Sequence, residues 1–78
     1  MRHPAQVWIA AKVRDKRRRR GFTQRDLARA LGKPQSFVSK LETAERRLDF
    51  LDAVRVARVL RMKLSELVPP EAKGATRG

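Results

Sequence analysis

Between Thr23 and Pro34 the chain carries a helix start, a helix stop and a second helix start, all inside twelve residues. Thr23 is a strong N-cap, and Asp26 sits three residues on, where a carboxylate meets free backbone amides. Phe22 and Leu27 hold the two positions of a hydrophobic staple. Leu27, Ala28 and Leu31 form one apolar face, and Gly32 supplies the left-handed residue that ends a helix. Pro34 is tolerated at the first position of the next helix because its missing N–H would have no partner there. Two short helices joined by a tight glycine-containing turn are thereby predicted, and this supersecondary unit is a helix-turn-helix.

The flanking segments fit the same all-α reading. A first helix begins near Ala5 or Gln6 and ends at Gly21, with Ile9 and Val13 inward and Trp8 beside them as a core or interface anchor. The third helix runs from Pro34 to Thr43, with Val38 and Leu41 inward and Phe37 between core edge and surface. After a polar turn, Asp49 caps a fourth helix. There Phe50, Ala53, Val54, Ala57 and Leu60 repeat at three and four residues, a helical period. A last short turn, Leu64 to Val68, ends at Pro69-Pro70. Residues 1–68 are read as one domain and 69–78 as a short disordered tail.

Charge narrows the function. Twenty Lys and Arg against eight Asp and Glu give +12 over 78 residues, an excess suited to a polyanionic partner. Residues 1–40 carry +10 of it, including the run Lys16–Arg20. There is no cysteine and His3 is the single histidine, so neither a thiolate or multi-histidine metal site nor a histidine-based triad is expected. No cofactor is expected, nor is an enzyme: paired acid and base groups and a phosphate loop are both lacking. No apolar run approaches a membrane span, which points to a cytoplasmic, nucleoid-associated protein with no membrane partner.

The segment GFTQRDLARALGKPQSFVSKLETAERRLDFLDAVRVARVLRMKLSELV resembles the Cro/C1-type (XRE-like) helix-turn-helix family. GFTQRDLARALG is similar to its second helix and turn, PQSFVSKLE to its recognition helix, and ERRLD to its exit into the fourth helix. The resemblance implies a compact five-helix bundle of the lambda repressor-like type, whose third helix enters the DNA major groove. It implies a sequence-specific double-stranded DNA-binding regulator, a repressor acting as a homodimer on a two-fold operator. The alternative is an antitoxin or a restriction-controller-type protein that also binds a protein partner. An RNA-binding arginine-rich helix and a peripheral membrane helix are weaker readings, because both leave the helix-turn-helix unused.

By this resemblance Gln35, Ser36 and Lys40 read bases, and Phe37 meets a thymine methyl. Gln can pair bidentately with adenine and Lys can donate to guanine, which suits that role. Phosphate contacts are expected from Arg17, Thr23, Gln24, Lys33, Ser39, Thr43, Arg46 and Arg47. Three positions depart from the family pattern. Lys16 stands where Ala or Leu is more usual, while Ala44 and Arg61 stand where glycine commonly ends a helix. A non-glycine residue in the left-handed region costs about 1 kcal/mol, so strain is expected at both turns.

Overall fold

Capping decides where each helix begins. In the computed structural model, which describes residues 3–70, His3 Nδ1 accepts the amide of Ala5 at 3.0 Å and starts α1, Pro4–Arg19. Thr23 and Asp26 exchange two hydrogen bonds, a complete capping box, at the start of α2, Gln24–Leu31. Pro34 precedes α3, Gln35–Glu42, and Asp49 accepts the amide of Asp52 at 2.8 Å to open α4, Phe50–Val59. A 3₁₀ turn, Leu64–Leu67, closes the order.

Val13, Leu27, Val38, Leu41, Val56 and Leu60 are fully buried and form the centre, one or more from each α-helix apart from Leu60, which caps α4. Full burial of each such side chain stabilises by about 1.5–3 kcal/mol, offset largely by chain entropy. Helix α2 packs on both α3 and α4, while α1 packs on α3 and the closing turn. Ile9 and Phe22 pack against this core, as their sequence positions suggested.

Three expectations are corrected. The fifth helix is a single 3₁₀ turn: four residues before Pro69-Pro70 leave no room for an α-helix, since proline disfavours helical backbone just ahead of it. Pro34 is the N-cap with extended backbone rather than the first helical residue. Phe50, expected inward, is 74% exposed, because it occupies the first residue of α4, beyond the core that Val56, Ala57 and Leu60 reach. Val56, which the periodicity did not single out, is fully buried instead. Of the expected tail, Pro69 is buried and Pro70 exposed, and residues 71–78 lie outside the described residues. Ala44 and Arg61 do adopt positive φ, 63° and 54°, at the ends of α3 and α4.

Candidate nucleic-acid interface

Gly32, at φ 68°, turns the chain from α2 into α3. The amides of Gly32 and Lys33 donate back to Arg29 and Ala28 carbonyls at 3.1 and 2.9 Å, so the tight turn leaves those acceptors satisfied. Val38 and Leu41 anchor the inner side of α3. Gln35, Ser36 and Lys40 are therefore exposed on its outer side, with Thr43 exposed at its end and Ser39 half-buried. Gln24 and Gln35 line one depression together with Thr23 and Arg25. Lys33, Ser36, Lys40 and Arg46 line another. The expected polar residues are thus divided between two depressions that meet at the adjacent Gln35 and Ser36, while Ser39, Thr43 and the exposed Arg47 line neither.

Some of those residues already have intramolecular work. Thr23 Oγ1 accepts the Asp26 amide at 3.0 Å, and Asp26 Oδ2 accepts the Thr23 amide at 2.9 Å. The backbone hydrogen bond from Thr23 holds the Asp26 carboxyl below its usual range, so a negative charge sits at the α2 N-terminus. Ser39 Oγ donates to the Ser36 carbonyl at 3.3 Å. Thr43 Oγ1 lies 2.6 Å from a Glu45 carboxylate oxygen and 3.2 Å from the Lys40 carbonyl.

Two expected roles do not survive the geometry. Arg17 is 8% exposed: its Nε and Nη2 donate to Glu42 at 2.6 and 3.0 Å, and its Nη1 donates to the Phe22 carbonyl at 2.8 Å. Buried, and with each of its three nitrogens donating inside the fold, it braces the packing of α1 on α3 instead of standing free for a phosphate. Phe37 is 5% exposed and cannot present its ring to a base. Instead its ring carries the Lys33 ammonium at 5.3 Å and the Arg46 guanidinium at 4.6 Å, both within cation–π range.

Glu42 is the residue the sequence reading missed. Its side chain is fully buried, and besides Arg17 it accepts from Gln24 Nε2 at 3.1 Å and lies 3.5 Å from Arg14 Nε. Burial pushes its carboxyl up, but the hydrogen bonds from Arg17 and Gln24 and the charges of Arg17 and Arg14 outweigh it, leaving the carboxyl below its usual range. A signal was present: Glu42 lies four residues after Val38 and next to Leu41, on the inward face, where a carboxylate requires a cation.

The basic run of α1 is likewise mostly engaged within the fold. Lys16 pairs with Glu66 at 3.1 Å, Arg19 with Asp15 at 2.8 Å, and Arg20 donates to the carbonyls of Leu60 and Arg61 at 2.8 and 2.9 Å. Within Lys16–Arg20 only Arg18 lacks a partner among the described residues. Among the described residues no three His, Cys, Asp or Glu side chains cluster as a metal site requires, and no helix is long and apolar enough to cross a membrane.

A capped helix, a glycine turn and a second helix presenting polar side chains beside exposed cations define a DNA-binding helix-turn-helix domain. The model of the helix-turn-helix family matches residues 13–67, and the chain belongs to that family in its Cro/C1-type form. Among solved structures, the restriction-modification controller protein C.AhdI from Aeromonas hydrophila is similar over 83% of this chain and 98% of its own, with TM-score 0.79 and 25% identity. Hydroxypropylphosphonic acid epoxidase from S. wedmorenis is similar over 83% of this chain, with TM-score 0.77 and 27% identity, but the match spans only 35% of that enzyme. The hypothetical transcription factor NHTF from Neisseria, 24% identical with TM-score 0.77 over 91% of this chain and 83% of its own, shares the fold. No curated protein matches the chain in sequence.

Proposed function

We propose that this protein is a sequence-specific transcriptional regulator of the cytoplasm, a repressor that binds a two-fold DNA operator as a homodimer. The observation that carries the reading is the exposure of Gln35, Ser36 and Lys40 on α3, with Lys33, Arg46 and Arg47 close in sequence on either side. Gln35 and Lys40 read base edges in the major groove and Ser36 assists. Lys33, Arg46 and Arg47 bind phosphates, joined by Gln24, Thr23, Ser39 and Thr43 where their hydroxyls and amides reach the backbone. Residues 1–68 form the DNA-binding unit and 69–78 a tail.

The similarity to C.AhdI over 98% of that chain favours one particular form of this reading, control of a restriction-modification system. Genes for an endonuclease and a methyltransferase beside this one would support that form; their absence from the neighbourhood would remove it.

Selection of bound duplexes from a random pool tests the main proposal. The wild type yields a motif with two half-sites about one helical turn, or about 10 bp, apart. Gln35→Ala and Lys40→Ala each relax preference at particular positions. Arg47→Ala weakens all sites alike and lowers the salt slope by about one. A wild-type selection that enriches no motif overturns the reading.

A further inference from the structure

A third cleft, of about 360 Å³, opens between α1 and the end of α3. Val7 and Ala11 stand on its apolar side, and Arg14, Arg18 and Thr43 are part of its polar lining. Its two acids, Asp15 and Glu42, are already matched by cations of the fold, Arg19 at 2.8 Å and Arg17 at 2.6 Å. The charge left over is that of Arg14 and Arg18, which stand four residues apart on α1 and so share a face. Arg18 is exposed and has no partner among the described residues. The Arg14 side chain is 44% exposed, and its Nε lies 3.5 Å from the buried Glu42 carboxylate.

Two links place this cleft beside the surface proposed for DNA. Gln24 Nε2 donates at 3.1 Å to the same Glu42 oxygen, Oε1, so Arg14 and Gln24 are neighbours across one carboxylate. Thr43 follows Ser36 by seven residues and Lys40 by three, close to two turns and one turn, on the same outward stripe of the helix. The stripe proposed to read bases therefore runs into the cleft at its C-terminal end. A cation in the last turn of α1 also suits the helix macrodipole. Lys16, Arg17 and Arg19 share that turn with Arg18, however, and the macrodipole gives no reason for Arg14.

The geometry points to Arg14 and Arg18, in the cleft that Thr43 closes, as a second seat for the sugar-phosphate backbone of the duplex held by α3. This inference rests on the DNA-binding reading above and adds α1 to the surface that reading assigns. The guanidinium fork suits phosphate oxygens, and the Glu42 carboxylate steadies Arg14 from behind. The apolar wall of Val7 and Ala11 can lie against deoxyribose carbons. Phosphates carry no base identity, so this seat adds affinity and register and leaves the choice of sequence to Gln35, Ser36 and Lys40.

The test is equilibrium binding of the full chain to a duplex of the selected motif and to one of unrelated sequence. Both are measured over a series of salt concentrations, with circular dichroism to confirm folding. Arg18→Ala, which breaks no contact among the described residues, weakens binding about fivefold on both duplexes and lowers the salt slope by about one. Adding Arg14→Ala lowers the slope by about two in all, whereas Arg18→Lys keeps most of the affinity and the slope. Arg58→Ala removes the same charge from an exposed position on α4 that lines a different cleft, with Ala30 and Leu31, and leaves the slope as in the wild type. Wild-type affinity and slope in both Arg18→Ala and the double variant overturn this proposal. An equal loss in Arg58→Ala overturns it too, because net charge alone then accounts for the effect. Neither outcome touches the regulator reading, which is judged by the wild-type selection. A wild type that enriches no motif, yet loses slope on the unrelated duplex in Arg18→Ala, overturns that reading and supports this seat.

Discussion

Arg17 and Glu42, twenty-five residues apart, meet in a buried ion pair with two hydrogen bonds of 2.6 and 3.0 Å. The pair ties the end of α1 to the end of α3, and Gln24 extends it to the first residue of α2 by its 3.1 Å bond to the same carboxylate. The orientation of the proposed recognition helix is thus held by charge as well as by Val38 and Leu41. Removing one member leaves the other charged and buried, the costly half of a buried ion pair.

Glu42→Ala is expected to lower unfolding stability by about 3 kcal/mol in denaturant titration, a large share of what so small a domain has. Arg17→Met with Glu42→Leu, which removes both charges, should recover much of that loss. Equal destabilisation by the single and double variants would show that the pair contributes no such penalty.

Acid should destabilise the fold in a defined sense. The Glu42 carboxyl titrates below its unfolded value, so its contribution is fully present above the unfolded pKa of about 4.3 and disappears as pH falls through the lower folded value. Asp26, held down by the Thr23 amide, and Glu66, held down by the Lys63 amide and then Lys16, act in the same direction. Melting temperature should fall on acidification below about pH 4, and Glu42→Gln should flatten that fall. An unchanged acid slope in Glu42→Gln would assign the effect to the other carboxylates.

Arg61→Gly should stabilise the protein. Arg61 holds φ at 54°, which costs an L-residue about 1 kcal/mol and glycine almost nothing. Its carbonyl, which accepts from Arg20 Nη2 at 2.9 Å, survives the change. Glycine's extra freedom in the unfolded chain takes back part of the gain, so a net rise of about 0.5 kcal/mol is expected in chemical denaturation. Ala44→Gly should gain less, because Ala44 is 6% exposed and loses a buried methyl.

Phe37→Leu separates positioning from reading. The ring supports the Arg46 guanidinium at 4.6 Å, and a leucine fills the core without a π face. Affinity should drop by a similar factor, about threefold, on every duplex tested, since exposed cation–π contacts are worth about 0.5–1 kcal/mol. The selected motif should not change. A base preference altered at one position would return Phe37 to the reading surface.

How much of this was legible beforehand depends on the range of the interaction. The Thr23–Asp26 box, the Gly32 stop and the Asp49 cap act over three residues or fewer, and all three stand in the structure where the sequence puts them. The left-handed turns at Ala44 and Arg61 were readable from the family pattern, which commonly has glycine there, and not from the residue types themselves. Periodicity failed at Phe50, where a helical position exists but no opposing helix covers it, and it passed over Val56, which packing buries.

The fate of the positive charge lay out of reach of the sequence. A run such as Lys16–Arg20 looks like one solvated stripe, yet its members diverge to Glu66, Glu42, Asp15 and the carbonyls that end α4. Apart from Arg19 with Asp15, those partners are 25 or more residues away, and which of them a side chain meets depends on how four helices pack. By itself the sequence determined the helices, their order and the turn between α2 and α3, because backbone capping and steric limits are satisfied locally. Tertiary structure alone decided that Arg17 belongs to the core, that Phe37 carries two cations on a buried ring, and which basic residues stay free. Burial and ion pairing are properties of the space between helices, and that space exists only once they are packed.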